Sequence, residues 1–348
     1  MYSPRPAGMT RTRHYHLCLV GFGNVGRELV RLLQAKEAEL RGHYGVEWRL
    51  TGVASRRLGW RACPQGFDPS AILENRWPPA VAPAPQNVRE WLHATQADVL
   101  FEASSLNWRT GQPAIDYLRA ALECGAHAIS ANKGPIVHAY HELRELARAR
   151  GRHFLFESTV LDGTPVFSLF RYGLPGVKLR GFRGLLNSTS NVVLSEIERG
   201  LDFNQAVRHA QEIGVAETDP SDDLDGWDPA VKVAALAIVL MGAALRFDQV
   251  ERVGVRSLDP AAVRAARAAG EPYKLICRAE RRGNRVVASV RPEQVALADP
   301  LAHFEGTTSC LFLDLDVFGL TIVEHKPGVI ATAYGLLADF LRAVEQPA

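Results

Sequence analysis

Residues 17–33 read LCLVGFGNVGRELVRLL, and this stretch decides the fold. Leu17 to Val20 is an apolar run of strand length, Gly21, Gly23 and Gly26 follow as G-x-G-x-x-G, and Val25, Leu29, Leu32 and Leu33 then recur at helical spacing. Such a turn lets a pyrophosphate approach the helix N-terminus, where unpaired N–H groups and the helix dipole favour an anion. A glycine-rich turn alone is a weak sign, and its place between strand and helix makes it a dinucleotide fingerprint. Gly21, Gly23, Asn24, Val25 and Gly26 are therefore the first candidates to line a nicotinamide cofactor.

Downstream, strands are expected near 48–54, 98–103, 127–130 and 153–157, with helices near 113–124 and 138–150. Strand and helix alternate to about residue 157, which predicts an α/β fold with a Rossmann-type, doubly wound parallel sheet. Ligands bind such sheets at the carboxyl ends of the strands, and Gly21, Ser104, Ser105, Lys133 and Glu157 all fall there. After the second strand the chain offers Ser55, Arg56 and Arg57, with no carboxylate for the ribose diol of NAD. An arginine suits the 2′-phosphate of NADP, so NADP(H) is the preferred cofactor, NAD(H) the alternative, and Arg56 the residue nearest the strand end. Prolines from Pro64 to Pro85 predict an irregular excursion over 58–86. Beyond Gly163 the pattern becomes α+β. The expected division is a dinucleotide-binding domain at 1–158, completed by a closing helix in 328–348, and a second domain at 159–327.

The most polar stretch, Gly214 to Lys232, reads GVAETDPSDDLDGWDPAVK. Asp228-Pro229 has the form of a helix start, with Asp at the N-cap and Pro at the first helical position. Lys232 would then lie one turn inside an apolar helix, four residues after Asp228 and on the same face. An acidic loop with a surface lysine is the plain alternative. Asp222 is expected to face solvent.

Composition narrows the class. A net charge of +2 over 348 residues gives no case for nucleic acid or an anionic membrane as partner. Five cysteines, widely spaced and without a C-x-x-C pair, suit a reducing cytoplasm and argue against a disulfide or zinc framework. No apolar signal core precedes Leu17, and the longest apolar run, near 233–245, is too short to cross a bilayer.

Six motifs together resemble the homoserine dehydrogenase family: GFGNVG at 21–26, ANKGP at 131–135, FESTVLDGTPVF at 156–167, GLLNSTSN at 184–191, AQEIGVAETDPSDDLDGWDPAVK at 210–232 and GVIATAYGLLAD at 328–339. The resemblance implies interconversion of homoserine and aspartate 4-semialdehyde with a nicotinamide cofactor. It implies Lys232 as the proton-transfer residue, Lys133 as a second lysine near nicotinamide and substrate, and Glu217, Asp228, Asp223 and Thr189 as substrate ligands. Gly214 and Gly328 would approach the cofactor. A monovalent cation, Na+ or K+, would sit at the Glu157 carboxyl and the carbonyls of Val160, Asp162 and Thr164. The second domain would be catalytic and would form a homodimer, and no regulatory domain is expected after residue 348. Ser188 and Asp162 stand where the family commonly has glycine, and the approach to Gly328 lacks a glycine-rich segment.

The chemistry of these residues agrees. Hydride delivery to an aldehyde puts negative charge on its oxygen, which a lysine can neutralise, and carboxylates suit an α-ammonium group. A related reductase of another amino-acid semialdehyde and a cofactor-binding protein without turnover are the other readings. The joint presence of Glu217, Asp228, Lys133 and Lys232 speaks against the latter.

Overall fold

A computed structural model of the chain describes residues 12–79 and 83–345. The first eleven residues, read above for a signal core, and the last three of the closing segment lie outside the described residues. The first unit runs β1 (Arg13–Val20), α1 (Asn24–Ala35), α2 (Glu37–Tyr44), β2 (Val46–Ser55), β3 (Gly59–Ala62), α3 (Pro69–Leu73), α4 (Val88–Thr95), β4 (Val99–Glu102), α5 (Ala114–Glu123), β5 (His127–Ser130), α6 (Lys133–Ala149) and β6 (Phe154–Leu155). Its sheet has the order β3-β2-β1-β4-β5-β6. All pairs are parallel except the hairpin between β2 and β3. From β1 the chain turns first to β2 and then crosses to β4 on the other side. This reversal opens a crevice at the carboxyl ends of β1 and β4, the usual ligand position in a doubly wound sheet.

The second unit runs β7 (Leu179–Leu185), α7 (Ser188–Glu198), α8 (Phe203–Glu212), α9 (Ser221–Leu224), α10 (Trp227–Met241), β8 (Glu251–Arg252), α11 (Pro260–Ala268), β9 (Tyr273–Arg282), β10 (Arg285–Gln294), β11 (Ser309–Leu315) and β12 (Gly319–Glu324), and α12 (Val329–Glu345) closes the chain. Its six-stranded sheet, β12-β11-β7-β9-β10-β8, is antiparallel except for the short edge pair β10–β8. The helix α10 is apolar nearly all round, as a buried helix must be, and rests on β9 and β10 while its other side meets α6. Ile136, Val137 and Tyr140 of α6 therefore share one core with Val231, Ala234 and Ala235 of α10. That shared core brings the N-terminal ends of the two helices together.

The chain crosses between units at two places that lie against each other. The helix α12 returns from β12 to α1, with Phe340 fully buried between Tyr15 and Phe101. Beside it, Ser158 Oγ donates to Thr332 O at 2.7 Å and Glu157 N to Asp339 Oδ2 at 2.7 Å.

Two sequence expectations need correction here. The excursion over 58–86 contains β3 and α3, because the Ser55–Gly59 turn folds the chain back on β2 and Asp68 caps a helix with Pro69 at its first position. The unforeseen α4 is capped by Asn87. The helix carrying Lys232 starts at Trp227 after Gly226, whose φ of 81° is left-handed, so Asp228 is no N-cap. Its carboxylate is thereby free for other partners. Among the described residues no helix is long and apolar enough to cross a membrane.

Candidate active site

The fingerprint turn works by close approach. Gly21 has φ 98°, and a Cβ there would come within 2.1 Å of Ala103 O, so the turn lies directly on the start of the loop after β4. The helix α1 follows with Gly23 at its N-cap and no side chain capping it, which leaves its first N–H groups available to an anion. Between the turn and that loop lies a cleft of about 1250 Å³. Of the cofactor candidates, Gly21, Gly23, Arg56, Ser104 and Ser105 line it. Asn24, Val25, Gly26, Lys133, Gly214 and Gly328 do not, and Gly214 sits in an exposed loop. The open turn, the uncapped helix and the arginines at the rim fit a dinucleotide.

Behind the cleft, Glu102 ends β4 fully buried. Its carboxylate accepts from Ser104 N at 2.9 Å and from Ser130 Oγ at 2.8 Å, fixing the loops that leave β4 and β5 to one another. Burial pushes this carboxyl upward, and the serine hydrogen bonds only partly oppose it. Glu102 went unread in the sequence, although a carboxylate at the carboxyl end of a central strand was its signal.

The lysines and acids meet at the ends of helices. Lys133 is the first residue of α6, whose N-cap Asn132 accepts from Gly134 N. Its Nζ lies 3.1 Å from Asp228 Oδ1, and Lys232 Nζ lies 3.2 Å from Asp228 Oδ2. Lys232 also donates to Leu186 O at 2.7 Å. Asn187 caps α7 and donates through Nδ2 to both Asp223 at 2.6 Å and Asp228 at 3.2 Å. Thr189 Oγ1 donates to Asp223 Oδ2 at 3.0 Å. Asp228 is thus held at three converging helix N-termini, whose dipoles favour the anion. Glu217 stands apart, exposed and without a side-chain hydrogen bond or ion pair among the described residues.

Electrostatics sharpens the contrast between the two acids. Burial disfavours charge on Asp228, but Lys133 and Lys232 outweigh it and hold its carboxyl well below the ordinary range. Burial likewise opposes charge on Lys232, yet Asp228, Asp162 and Asp223 raise its pKa, so the ammonium persists at neutral pH. Asp223 moves the other way, raised by burial and then by the neighbouring Asp228.

The Glu157 carboxylate, expected beside a cation, is already partnered. The Glu157 carboxylate accepts from Phe167 N at 2.7 Å and Ser168 N at 2.9 Å, and Arg342 Nη1 lies 2.9 Å away. Of the set Glu157, Val160, Asp162 and Thr164, the carboxylate thus already has a cationic partner in Arg342. Asp162 spends its carboxylate on Gly328 N and on Thr332 Oγ1, at 3.1 Å, at the start of α12. Asp222 is exposed as expected, and its Oδ2 also accepts from Trp108 Nε1 at 2.9 Å. Nothing in local spacing pointed to Trp108.

Comparison with known proteins agrees with this architecture. The homoserine dehydrogenase NAD-binding domain model matches residues 21–157, and the homoserine dehydrogenase model matches 165–341. The chain is 35% identical over 337 residues to the NAD(+)-dependent homoserine dehydrogenase of Pseudomonas canavaninivorans, covering 94% of this chain and 95% of that relative. It is 30% identical to the homoserine dehydrogenase of Sulfurisphaera tokodaii, with 93% and 97% covered. Among solved structures, a putative homoserine dehydrogenase from Archaeoglobus fulgidus superposes with a TM-score of 0.83 at 29% identity, over 94% of this chain and 98% of that one. With both family models matched in sequence order and relatives aligned nearly end to end, the chain belongs to the homoserine dehydrogenase family.

Proposed function

We propose that the protein interconverts L-homoserine and L-aspartate 4-semialdehyde by hydride transfer, a step of threonine, methionine and isoleucine biosynthesis. One observation carries the reading: the Asp228 carboxylate lies between two lysine ammoniums drawn from different helices, 3.1 Å from Lys133 and 3.2 Å from Lys232. A bound nicotinamide supplies or accepts the hydride. In reduction, charge grows on the aldehyde oxygen, and Lys232 meets it with a proton that Asp228 keeps on the ammonium at neutral pH. Lys133 orients the carbonyl. Asp223, steadied by Thr189 and Asn187, receives the substrate's ammonium group, and Glu217 joins from its exposed position only as a peripheral carboxylate.

Gly21, Gly23, Ser104 and Ser105 would hold the dinucleotide in the cleft, with Arg56 at its adenosine end favouring NADP(H). A homodimer built on the second sheet belongs to the same reading, supported by the outer face where Val287 stays 45% exposed. So does a cytoplasmic location, supported by five free cysteines. The test is spectrophotometric: purified protein with L-homoserine and NAD+ or NADP+ should reduce the cofactor, and no reduction with either would overturn the reading.

A further inference from the structure

The loop after β4 touches the second unit at a point that none of these roles uses. Trp108 is buried there, and its indole stacks on that of Trp227 with ring centres 4.5 Å apart and planes 18° apart. Its Nε1 donates to Asp222 at 2.9 Å, and its carbonyl accepts from His138 Nε2 at 2.8 Å. Guanidinium groups cover the outer faces of the pair, Arg109 at 4.7 Å from the Trp108 ring and Arg252 at 3.7 Å from the Trp227 ring. Stacked indoles capped by cations are a favourable, geometrically specific contact.

Position gives the contact its meaning. Asp222 immediately precedes Asp223, and Trp227 immediately precedes Asp228. On its other side the same loop walls the cleft through Ser104, Ser105, Trp108 and Arg109, and Asp222 is where that cleft reaches the acidic segment. Both ends of the contact have further ties. Trp227 is fixed within its own unit, since Arg252 also reaches Asp225 O and Arg256 pairs with the Asp225 carboxylate at 2.8 Å. Trp108 belongs to a loop without helix or strand, tied at its start by Glu102 and at the Trp108 carbonyl by His138.

We propose that Trp108 is a positioning residue, a latch that carries occupancy of the dinucleotide cleft to the carboxylates Asp223 and Asp228. The inference rests on the function above for the identity of the substrate, and on geometry alone for the coupling. Filling the cleft would set the loop, and the loop would then set the segment 219–230 through the stack and the indole N–H.

Amide hydrogen exchange over residues 219–230, measured on the whole protein with and without saturating NAD+ or NADP+, tests it. Cofactor should slow exchange there severalfold in wild type, lose this effect in Trp108→Ala and recover it in part in Trp108→Phe, which keeps the stack and lacks the N–H. With L-homoserine, Trp108→Ala should raise KM by about tenfold. If Trp108→Ala fails to fold, Trp108→Phe and Asp222→Ala carry the same comparison. Cofactor protection that is absent in wild type, or undiminished in all the variants, overturns the latch. Protection without homoserine turnover would defeat the function and keep the latch, whereas turnover without protection would do the reverse.

Discussion

Lys133 Nζ and Asp228 Oδ1 lie 3.1 Å apart, and this ion pair joins the N-terminal ends of α6 and α10, one helix from each unit. Each side chain keeps about 17% of its surface exposed, so the pair is screened too little to be a passing surface contact. Because Lys232 shares the same carboxylate, one acid pairs with two lysines. Removing any member leaves the others poorly compensated.

Lys232→Ala should therefore abolish turnover while the cofactor still binds, since the residue lies outside the wall of the dinucleotide cleft. Loss of a general acid costs roughly 10²-fold or more in kcat. Steady-state kinetics together with cofactor titration checks this, and a variant with wild-type kcat would sink the mechanism.

Asp228→Asn and Asp222→Asn should separate. The first removes the charge partner of both lysines and should raise KM and lower kcat. It should also change acid stability. The folded carboxyl is held well below its ordinary value of 3.8, so the stability it contributes is full above about pH 4 and is lost as pH falls through the folded pKa. Melting curves of the variant should lack that acid limb. Asp222→Asn should have a small effect, because an amide oxygen can still accept from the Trp108 indole, whereas Asp222→Ala should have a larger one. Equal effects of the two asparagine substitutions would count against these assignments.

Glu324 gives a pH dependence of opposite sign. Burial, then the nearby Asp162, pushes its carboxyl up from 4.5 to about 7, while Thr164 Oγ1 donates to it at 3.1 Å. Between these two values the unfolded chain is ionised and the folded one holds the proton. Stability should thus be highest below pH 4.5 and fall as pH rises toward 7, by at most ~1.4 kcal/mol per unit for this one group. Glu324→Gln mimics the protonated form and keeps the acceptor for Thr164. Its melting temperature should vary less across that window than that of wild type, and an unchanged slope would refute the assignment.

Much of this was legible in the chain. The apolar run, the glycine turn and the amphipathic helix at 17–33 carry local signals of period and flexibility, and they place β1 and α1 correctly. Lys232 and Asp228 were readable as a pair because four residues on a helix is one turn. What was not legible depends on distant segments. The start of α10 moved because Gly226, with a left-handed φ, opens the helix before Asp228 can cap it. The Glu157 carboxylate pairs with Arg342, 185 residues away. Trp108 and Asp222 are 114 residues apart, and no pattern of either neighbourhood announces their contact.

The cofactor choice rests on a turn of three residues. Arg56 and Arg57 lie exposed between β2 and β3, on the wall of the cleft and without an ion pair among the described residues. Ser55 cannot replace a carboxylate there, since its Oγ accepts from Leu58 N at 3.2 Å within the turn. A diol gains little from such a rim, but a 2′-phosphate gains a charge-assisted contact with a guanidinium that now faces only water. The Pseudomonas canavaninivorans relative is named for NAD(+), so the preference must be measured on this chain. Wild type should bind NADP(H) more tightly than NAD(H), and Arg56→Ala should weaken NADP(H) by about tenfold, a loss of ~1.4 kcal/mol, with little change for NAD(H). Fluorescence titration of both cofactors against both proteins decides it. Equal affinities in wild type, or equal losses in the variant, would show that these arginines point to solvent and do not select the cofactor.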